Sequence, residues 1–339
     1  MAARVKMKIL LGSHHFAPSI GGIETASELL AREFVKLGHE VHVITQTADG
    51  DDFPFQVIRK PGARELLRQV SWCDVFLQNN ISLRTFWPLL FVRRRLFVVH
   101  QTWIRNPRGE IGWHERLKHF VLRFARSIAI SKAVADELPT PVLVVPNPYD
   151  DEIFRRFEGT DRARDLVYVG RLVCDKGVDL LIEALSILRE SGTETRLTVV
   201  GDGPDRSRLE KQVAELALQS SVEFVGSVNS LQLAEILNHH RILVVPSRWP
   251  EPFGIVALEG IGCGCAVVGS DQGGLPEAIG QCGVTFPNND VRLLANALSQ
   301  LIHNAAQRDL LRSNASSHLA RFTKRRVAEA YLEFIEKNL

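Results

Sequence analysis

Short apolar runs alternate with longer amphipathic stretches along the whole chain. In the first half, the apolar and β-branched runs predict strands at Met7–Ser13, Glu40–Gln46, Phe55–Lys60, Val75–Gln78, Leu96–His100, Ser127–Ile130 and Val142–Val145. In the second half, they predict strands at Leu166–Val169, Arg196–Val200, Val222–Val225, Ile242–Val245, Ala266–Gly269 and Val284–Phe286. Strands that alternate with helical stretches are typical of parallel α/β layers.

The stretches between these runs have the spacing of amphipathic helices. Ile23–Leu37 is predicted to be a helix that ends at Gly38, and Gly177–Glu190 places its apolar residues on one face. The tail from Val291 to Leu339 keeps the same spacing. We therefore expect it to be helical.

The chain length indicates two domains, because 339 residues exceed an ordinary domain of roughly 100 to 200 residues. A polar, charged segment after Asp150 leads into a new strand, which places the boundary near residue 158. The expected division is residues 1–158, residues 159–321, and a C-terminal helix over 322–339 that packs back on the first domain. Doubly wound sheets bind ligands at the carboxyl ends of their strands, so we expect both domains to face one cleft.

Composition excludes several classes of protein. The content of 45% hydrophobic and 24% charged residues is that of a soluble globular chain, with no run of about 18 apolar residues for a membrane span. The basic start continues into a strand, which disfavours a signal peptide. Five cysteines without a C-x-x-C pair indicate reduced thiols rather than a disulfide frame or structural zinc. The expected location is cytoplasmic.

The net charge of +2 conceals an asymmetry between the two halves. Residues 1–158 contain 22 Lys and Arg against 17 Asp and Glu, and the remainder contains 19 against 22. Within the basic half, Phe86–Arg95 combines apolar bulk with three arginines, a pattern compatible with a peripheral membrane contact. A buried helix with a basic end is the simpler interpretation. The charge excess leaves an anionic or lipid-linked acceptor open.

Candidate binding chemistry is concentrated in the second half, around two glutamates. A buried run ends at Pro246, a loop contains Glu251, and a helix is expected to start near Gly254 with Glu259 about a turn and a half along it. The free N–H groups of such a helix start bind anions or sugar hydroxyls. Glu259 has the chemistry to hold a ribose diol, and Glu251 to reach a sugar. On spacing alone, both are also compatible with solvated surface charges.

The string from Glu251 to Glu259 resembles the E-P-F-G…E signature of the family-4 retaining glycosyltransferases, which have the GT-B fold. The likeness continues to Ala278. Upstream, Gly170–Gly177 is similar to the family's G-R-L…K-G motif. The resemblance implies two Rossmann-like domains facing across a cleft. It also implies transfer from a UDP-, GDP- or ADP-sugar to a glycan, lipid-linked or small-molecule hydroxyl, without a metal or other cofactor.

The same resemblance implies roles for single residues. Arg171 and Lys176 would bind and stabilise the departing diphosphate, and Glu259 would hold the ribose. Glu251 would contact the sugar together with four backbone positions: Phe253, Gly254, Ile255 and Val256. No residue stands out as a covalent nucleophile, and the resemblance implies that the leaving phosphate itself takes the acceptor's proton.

In the first half, two features resemble the family. Gly21 and Gly22 lie in a run similar to its P-x-x-G-G-x-E loop, where a helix start can cradle phosphate or sugar, although a plain tight turn is the alternative. His100 closes a strand where the family keeps a histidine that can hydrogen-bond the transferred sugar. Gln101 departs from the usual Asp or Gly at the next position, and a lone strand-end histidine is often structural.

Other interpretations of the sequence are disfavoured. Asp49-Gly50-Asp51 has the D-x-D spacing of metal-dependent transferases, but an acidic turn is favoured. Gly201–Pro204 lacks the third glycine of a dinucleotide fingerprint, so NAD is not indicated, and no nucleic-acid partner is expected. A sugar-nucleotide epimerase, a phosphorylase and an inactive scaffold share this fold. The E-P-F-G string disfavours the first two, and the intact charged residues disfavour the third.

Overall fold

The computed structural model describes residues 6–19, 21–50, 52–104, 112–140 and 142–339. By its internal contacts the chain divides into two compact units. Unit 1 comprises Met1–Tyr149 and Phe322–Leu339, and unit 2 comprises Asp150–Arg321. Asp51 of the D-x-D triplet lies outside the described residues.

Unit 1 is built on a seven-stranded parallel sheet. Its strands are β1 (Lys8–Gly12), β2 (Glu40–Thr45), β3 (Gln56–Arg59), β4 (Val75–Asn79), β5 (Arg95–His100), β6 (Arg126–Ala129) and β7 (Leu143–Val144). They lie in the order β3-β2-β1-β4-β5-β6-β7. All seven predicted strands of this half are confirmed, with ends that differ by at most one residue.

The helices of unit 1 cover both faces of this sheet. The first five are α1 (Gly22–Lys36), α2 (Ala63–Trp72), α3 (Leu83–Phe86), α4 (Trp113–Val121) and α5 (Lys132–Asp136). As predicted, α1 is followed by Gly38, which has a φ of 92°. Residues of α2, α3 and α4 share one apolar core with β4 and β5.

Unit 2 contains a six-stranded parallel sheet. Its strands are β8 (Arg164–Val169), β9 (Leu197–Val200), β10 (Val222–Gly226), β11 (His240–Val245), β12 (Ala266–Ser270) and β13 (Gly283–Phe286). They lie in the order β10-β9-β8-β11-β12-β13. These positions confirm the six strands predicted for the second half.

The remaining helices begin after β8. They are α6 (Val178–Glu190), α7 (Arg206–Glu215), α8 (Ser230–His239), α9 (Ile255–Gly262), α10 (Leu275–Ile279), α11 (Val291–His303), α12 (Ala305–Ser313), α13 (Ala315–Leu319) and α14 (Lys324–Lys337). The last of them belongs to unit 1, where Tyr331 packs against Phe34 of α1 with ring centroids 6.5 Å apart. The tail is therefore helical, as its spacing predicts.

The strand order reverses between β8 and β11 in unit 2, since these neighbours are not consecutive in the chain. Loops that leave a parallel sheet at such a reversal separate to opposite faces, and a crevice opens between them at the carboxyl ends of the strands. The loops after β8 and β11, together with α9, contain most of the site residues predicted from the sequence. The fold thus places them together.

The prediction of a buried helix over Phe86–Arg95 is wrong. Helix α3 ends at Phe86 and a 3₁₀ turn, Trp87–Leu90, follows. Pro88 lies in this turn, where its ring prevents a regular helix from continuing. Trp87 and Leu89 pack against the core, but Leu90 and Phe91 are exposed.

Candidate functional site

Two cationic side chains follow β8 in unit 2. Arg171 is exposed, and its backbone carbonyl accepts a 3.0 Å hydrogen bond from the hydroxyl of buried Tyr168. Lys176 closes a 3₁₀ turn, Cys174–Lys176, immediately before α6. The strand end and the turn therefore hold both cations at the edge of the sheet where the crevice is expected.

Lys176 forms an ion pair with Glu251, a residue 75 positions away in the chain. The Nζ–Oε1 distance is 2.5 Å, and both side chains are partly buried. The same Oε1 accepts a 2.6 Å hydrogen bond from the Ser247 hydroxyl. Charge-assisted hydrogen bonds of this length are about twice as strong as neutral ones, so the pair fixes both side chains.

The loop from Ser247 to Glu251 is anchored to its neighbours through the main chain. The backbone N–H groups of Arg248 and Trp249 donate to the Asp175 carbonyl at 2.9 and 3.2 Å. At the other end, the Gly274 N–H donates to the Glu251 carbonyl at 2.7 Å. Glu251 is therefore positioned by its backbone as well as by its side chain.

Side chains that sequence reasoning missed complete this support. The Arg248 guanidinium donates to Asp179 Oδ2 of α6 at 2.7 Å, and the Asn288 amide donates to the carbonyls of Ser247 and Arg248 at 3.2 Å. Ser247 and Arg248 lie just before the recognised string, so their position beside it was a usable signal. Asp179 and Asn288 come from elements with no motif of their own, and only the fold reveals them.

The start of α9 has the predicted form. Gly254 adopts a φ of 104°, in the left-handed region that favours glycine, and α9 begins at Ile255. The N–H groups of Ile255 and Val256 occupy the first turn, where an α-helix has no internal acceptor for them. Phe253 is buried and anchors the turn before Gly254. This helix start is therefore able to donate hydrogen bonds to a ligand.

Glu259 is the fifth of the eight residues of α9 and is partly buried. Burial raises the pKa of this carboxyl to about 7, and the negative charge of Asp150 acts in the same direction. Burial destabilises the ionised form of this carboxyl, so hydrogen-bond donors supplied by a ligand would stabilise that form strongly.

A tight contact between the loops after β8 and β11 gives a stability prediction. Gly177 has a φ of 66°, and a Cβ at this position would overlap the carbonyl oxygen of Pro246. Gly177→Ala is expected to lower the free energy of unfolding by about 3 kcal/mol, from left-handed strain together with the clash. Urea unfolding of the purified protein would measure the change.

Gly192 provides a matched control, because its φ is 81° and no described atom lies within 4 Å of the place that a Cβ would occupy. Gly192→Ala should cost only the left-handed strain, about 1 kcal/mol. Equal losses in the two variants would contradict the close packing of the Gly177 and Pro246 loops.

In unit 1, Gly21 precedes α1 and Gly22 is its first residue, so the glycine pair opens a helix as predicted. A Cβ at Gly21 would overlap the Glu24 carboxylate of the same helix turn. The Glu24 carboxylate ends a flexible side chain that can move aside, and Gly21 has an extended φ of 172°, so the overlap by itself does not require glycine. Binding of phosphate or sugar by this loop stays a prediction.

His100 is buried in unit 1, and its Nε2 lies 3.1 Å from the Ser127 hydroxyl of β6. Burial lowers the pKa of His100 to about 4, so the imidazole is neutral at physiological pH. The contact with Ser127 gives His100 a structural role within the sheet. Its contact with a transferred sugar stays a prediction.

Gln101, which departs from the family pattern, is buried in a small amide network. Its Oε1 accepts a 2.7 Å hydrogen bond from Asn147 Nδ2, and its backbone N–H donates to Asn80 Oδ1 at 2.8 Å. The backbone contact with Asn80 is open to any residue, but Gly has no side-chain acceptor for Asn147 and the Asp side chain is one methylene shorter. Gln101 therefore joins the ends of β4 and β5 to the segment that precedes unit 2.

No three His, Cys, Asp or Glu residues come together to hold a metal ion in the part of the chain that the structure describes. The five cysteines are free, and Cys174 alone of them is exposed. Burial raises the pKa of Cys265 to about 11, which keeps that thiol protonated. The four buried cysteines thus contribute to packing.

Two protein-family models match the chain. The model described as Glycosyl transferases group 1 matches residues 150–318, and the model described as Glycosyltransferase Family 4 matches residues 20–153. Together they cover both units.

Related proteins match as well. An uncharacterised glycosyltransferase of Methanocaldococcus jannaschii is 39% identical over 325 residues, which cover 80% of this chain and 83% of that protein. The phosphatidylinositol N-acetylglucosaminyltransferase gpi3 subunit of Schizosaccharomyces pombe is 26% identical, over 86% of this chain and 72% of its own. The D-inositol 3-phosphate glycosyltransferase of Stackebrandtia nassauensis is 35% identical, over 57% of this chain and 48% of its own.

Solved structures confirm the predicted fold. Anabaena HepE, in complex with UDP and glucose, has a TM-score of 0.82 at 20% identity and covers 97% of this chain and 99% of its own. A glycosyltransferase of Rickettsia africae has a TM-score of 0.80 at 16% identity, with 98% of each chain covered. At these identities the likeness concerns the fold, which is the GT-B fold of two Rossmann-like units.

Proposed function

The chain belongs to the family-4 glycosyltransferases, and from this premise we propose that it transfers a sugar from a nucleoside diphosphate donor to an acceptor hydroxyl with retention of configuration. The observation that supports this most is the Lys176–Glu251 pair, held at the carboxyl ends of β8 and β11. Arg171, the start of α9 and Glu259 belong to the same unit. This combination of groups suits a diphosphate, a sugar and a ribose.

The diphosphate would be bound by Arg171 and Lys176. The Lys176 ammonium has three N–H donors, and its contact with Glu251 uses one of them. The others would donate to phosphate oxygens, while Arg171 offers a planar, bidentate fork. Fixed cations of this kind stabilise the charge that develops as the diphosphate departs, which is the task that a metal ion performs in other transferases. The proposed reaction therefore needs no metal.

The sugar would be held by Glu251 and by the start of α9. Both contacts of the Glu251 carboxylate fall on Oε1, so Oε2 would accept a hydrogen bond from a sugar hydroxyl. The N–H groups of Ile255 and Val256 would donate to further oxygens of the donor. Because Ser247 and the anchored loop fix Glu251 in advance, little reorganisation is needed on binding.

The ribose would be held by Glu259. Its carboxylate lacks water on most of its surface, and the two ribose hydroxyls would supply the donors that favour the ionised form. The complex of Anabaena HepE with UDP supports a donor of the UDP type. The relatives named for phosphatidylinositol and D-inositol 3-phosphate support a polyol or lipid-linked acceptor hydroxyl.

A thermal-shift screen with UDP, GDP, ADP and dTDP, in the presence of EDTA, tests the donor assignment. A ligand at about 100 times its Kd stabilises the native state by about 2.7 kcal/mol, so one of the four should raise the Tm by several degrees. Arg171→Ala and Glu259→Ala should abolish the shift, and Lys211→Ala, an exposed cation of α7, should preserve it. Absence of any shift would favour the inactive scaffold.

A further inference from the structure

Helix α4 presents an apolar stripe to solvent. The stripe consists of Trp113, Leu117 and Phe120 of α4 and of Phe124 in the turn after the helix. These residues recur at the three- and four-residue spacing that lines one side of a helix. Trp113 is 68% exposed, Phe120 52% and Phe124 70%. The same segment supplies two other apolar residues, Val121 and Leu122, to the core. The α4 stripe is therefore an apolar surface that the described chain leaves largely open to water.

A further apolar pair, Leu90 and Phe91, lies on the same side of unit 1. Strands β4, β5 and β6 are adjacent and consecutive, and right-handed crossovers between such strands lie on one face of the sheet. Packing agrees with this rule, because the turn before Phe91 and the end of α4 belong to one core. We call the α4 stripe together with Leu90 and Phe91 the docking face.

The docking face is bordered by positive charge. From Ile81 to Ile130 the sequence contains ten Lys and Arg against two Glu. Several of these cations are exposed on α4, in the turn after it, or in the short segments that follow Phe91 and Phe124: Arg93, Arg95, Arg116, Arg123 and Arg126. The described acidic residue of this stretch, Glu115, is buried and caps its own helix through the Gly112 N–H at 3.2 Å. The border is thus strongly basic.

We propose that the docking face binds the surface of an anionic lipid bilayer. Exposed aromatic and leucine side chains would enter the boundary between head groups and acyl chains, and the arginines would contact lipid phosphates. In the described part of the chain, no helix is both long and apolar enough to cross a membrane, which agrees with contact at the surface. A symmetric dimer through this face would place the two basic borders against each other, so a second copy fits it less well.

Sedimentation with lipid vesicles tests this proposal on the full chain. The wild type should sediment with vesicles of phosphatidylcholine that contain about a third phosphatidylglycerol, because basic residues are attracted by about 1 kcal/mol each to such surfaces. It should not sediment with pure phosphatidylcholine, and about 1 M salt should release it. Phe120→Ser with Phe124→Ser should lower the partition coefficient at least tenfold.

Matched controls come from exposed residues outside the docking face. Leu231→Ser with Leu310→Ser removes side chains of similar exposure, 68% and 66%, and should leave vesicle binding unchanged. Replacing Arg93, Arg95 and Arg123 by Gln should weaken binding about a hundredfold, whereas the same change at Lys211, Arg292 and Lys337 should not. The Tm of each variant reports whether it is folded.

Three results would overturn the proposal. The first is failure of the wild type to bind either vesicle, and the second is a loss of binding in the control variants equal to that in the docking-face variants. The third is a dimer in light scattering that Phe120→Ser with Phe124→Ser dissociates. The donor assignment is independent of all three, because nucleotide binding in unit 2 is measured without lipid. The docking-face variants should keep the nucleotide-induced thermal shift of the wild type.

Discussion

Lys176→Ala is expected to lower kcat/KM for the nucleotide sugar by about 10²- to 10³-fold, which is the usual effect of removing one fixed donor that stabilises transition-state charge. The variant loses a cation that would face the diphosphate. It also leaves the Glu251 carboxylate, now 2.5 Å from the ammonium, without its charged partner. Its negative charge would then oppose the incoming diphosphate.

Initial rates at several donor concentrations measure this effect, and Lys211→Ala serves as the control for the loss of one exposed cation. Glu251→Gln keeps the shape of the side chain but removes its charge, and it therefore tests the contribution of the carboxylate that pairs with Lys176. If the pair acts as a unit, the double variant should lose much less activity than the product of the two single losses. Full activity of Lys176→Ala would remove the basis of the proposed donor site.

Glu259→Gln is expected to stabilise the protein while it weakens donor binding. A pKa raised to about 7 means that the folded state holds a proton between about pH 4.5 and pH 7 that the unfolded state releases. Ionised Glu259 therefore destabilises the fold above about pH 7, and this cost disappears as the pH falls. At pH 8 the variant should gain about 1 to 2 kcal/mol in its free energy of unfolding, and near pH 4.5 it should gain nothing.

The same variant should bind the nucleotide sugar about 10- to 100-fold more weakly at pH 8, because a charged acceptor of the ribose hydroxyls is lost. Donor affinity of the wild type should also fall as the pH drops below about 7, and the variant should lack this dependence. Calorimetric titration with a nucleotide sugar is suitable, since its diphosphate has no proton to gain in this range. A stable variant with wild-type affinity would show that Glu259 does not contact the ribose.

The strands were predictable because each is a short apolar run bounded by polar turns, as at Val75–Asn79 and Ala266–Ser270. The start of α9 was predictable for a similar reason. Only glycine adopts the φ of Gly254 readily, and a buried strand and a loop precede it. The sequence thus indicated which loops would contain the site residues.

The contacts between those loops were not predictable. Lys176 and Glu251 were assigned to different parts of the donor, and their ion pair follows from the adjacency of β8 and β11. That adjacency depends on the order of the strands in the sheet, which periodicity does not encode. The contacts of Asp179 and Asn288 with the Glu251 loop were not predictable for the same reason.

The exposed α4 stripe shows a second limit. Trp113, Leu117, Phe120 and Phe124 have the spacing of a core-facing helix side, and periodicity alone would bury them. In the structure, Val121 and Leu122 face the core instead. Which apolar side of a short helix is buried depends on the strands beneath it, so the exposure became visible only in the fold.

Proton NMR of donor turnover in the presence of EDTA tests the central proposal most directly. The wild type should transfer the sugar to an added acceptor hydroxyl, or to water when none is added, and the first-formed anomeric configuration of the product should match the donor. Arg171→Ala and Lys176→Ala should be slower by about 10²-fold or more. Release of the inverted anomer, a strict need for a divalent metal, or equal rates in the wild type and both variants would contradict it.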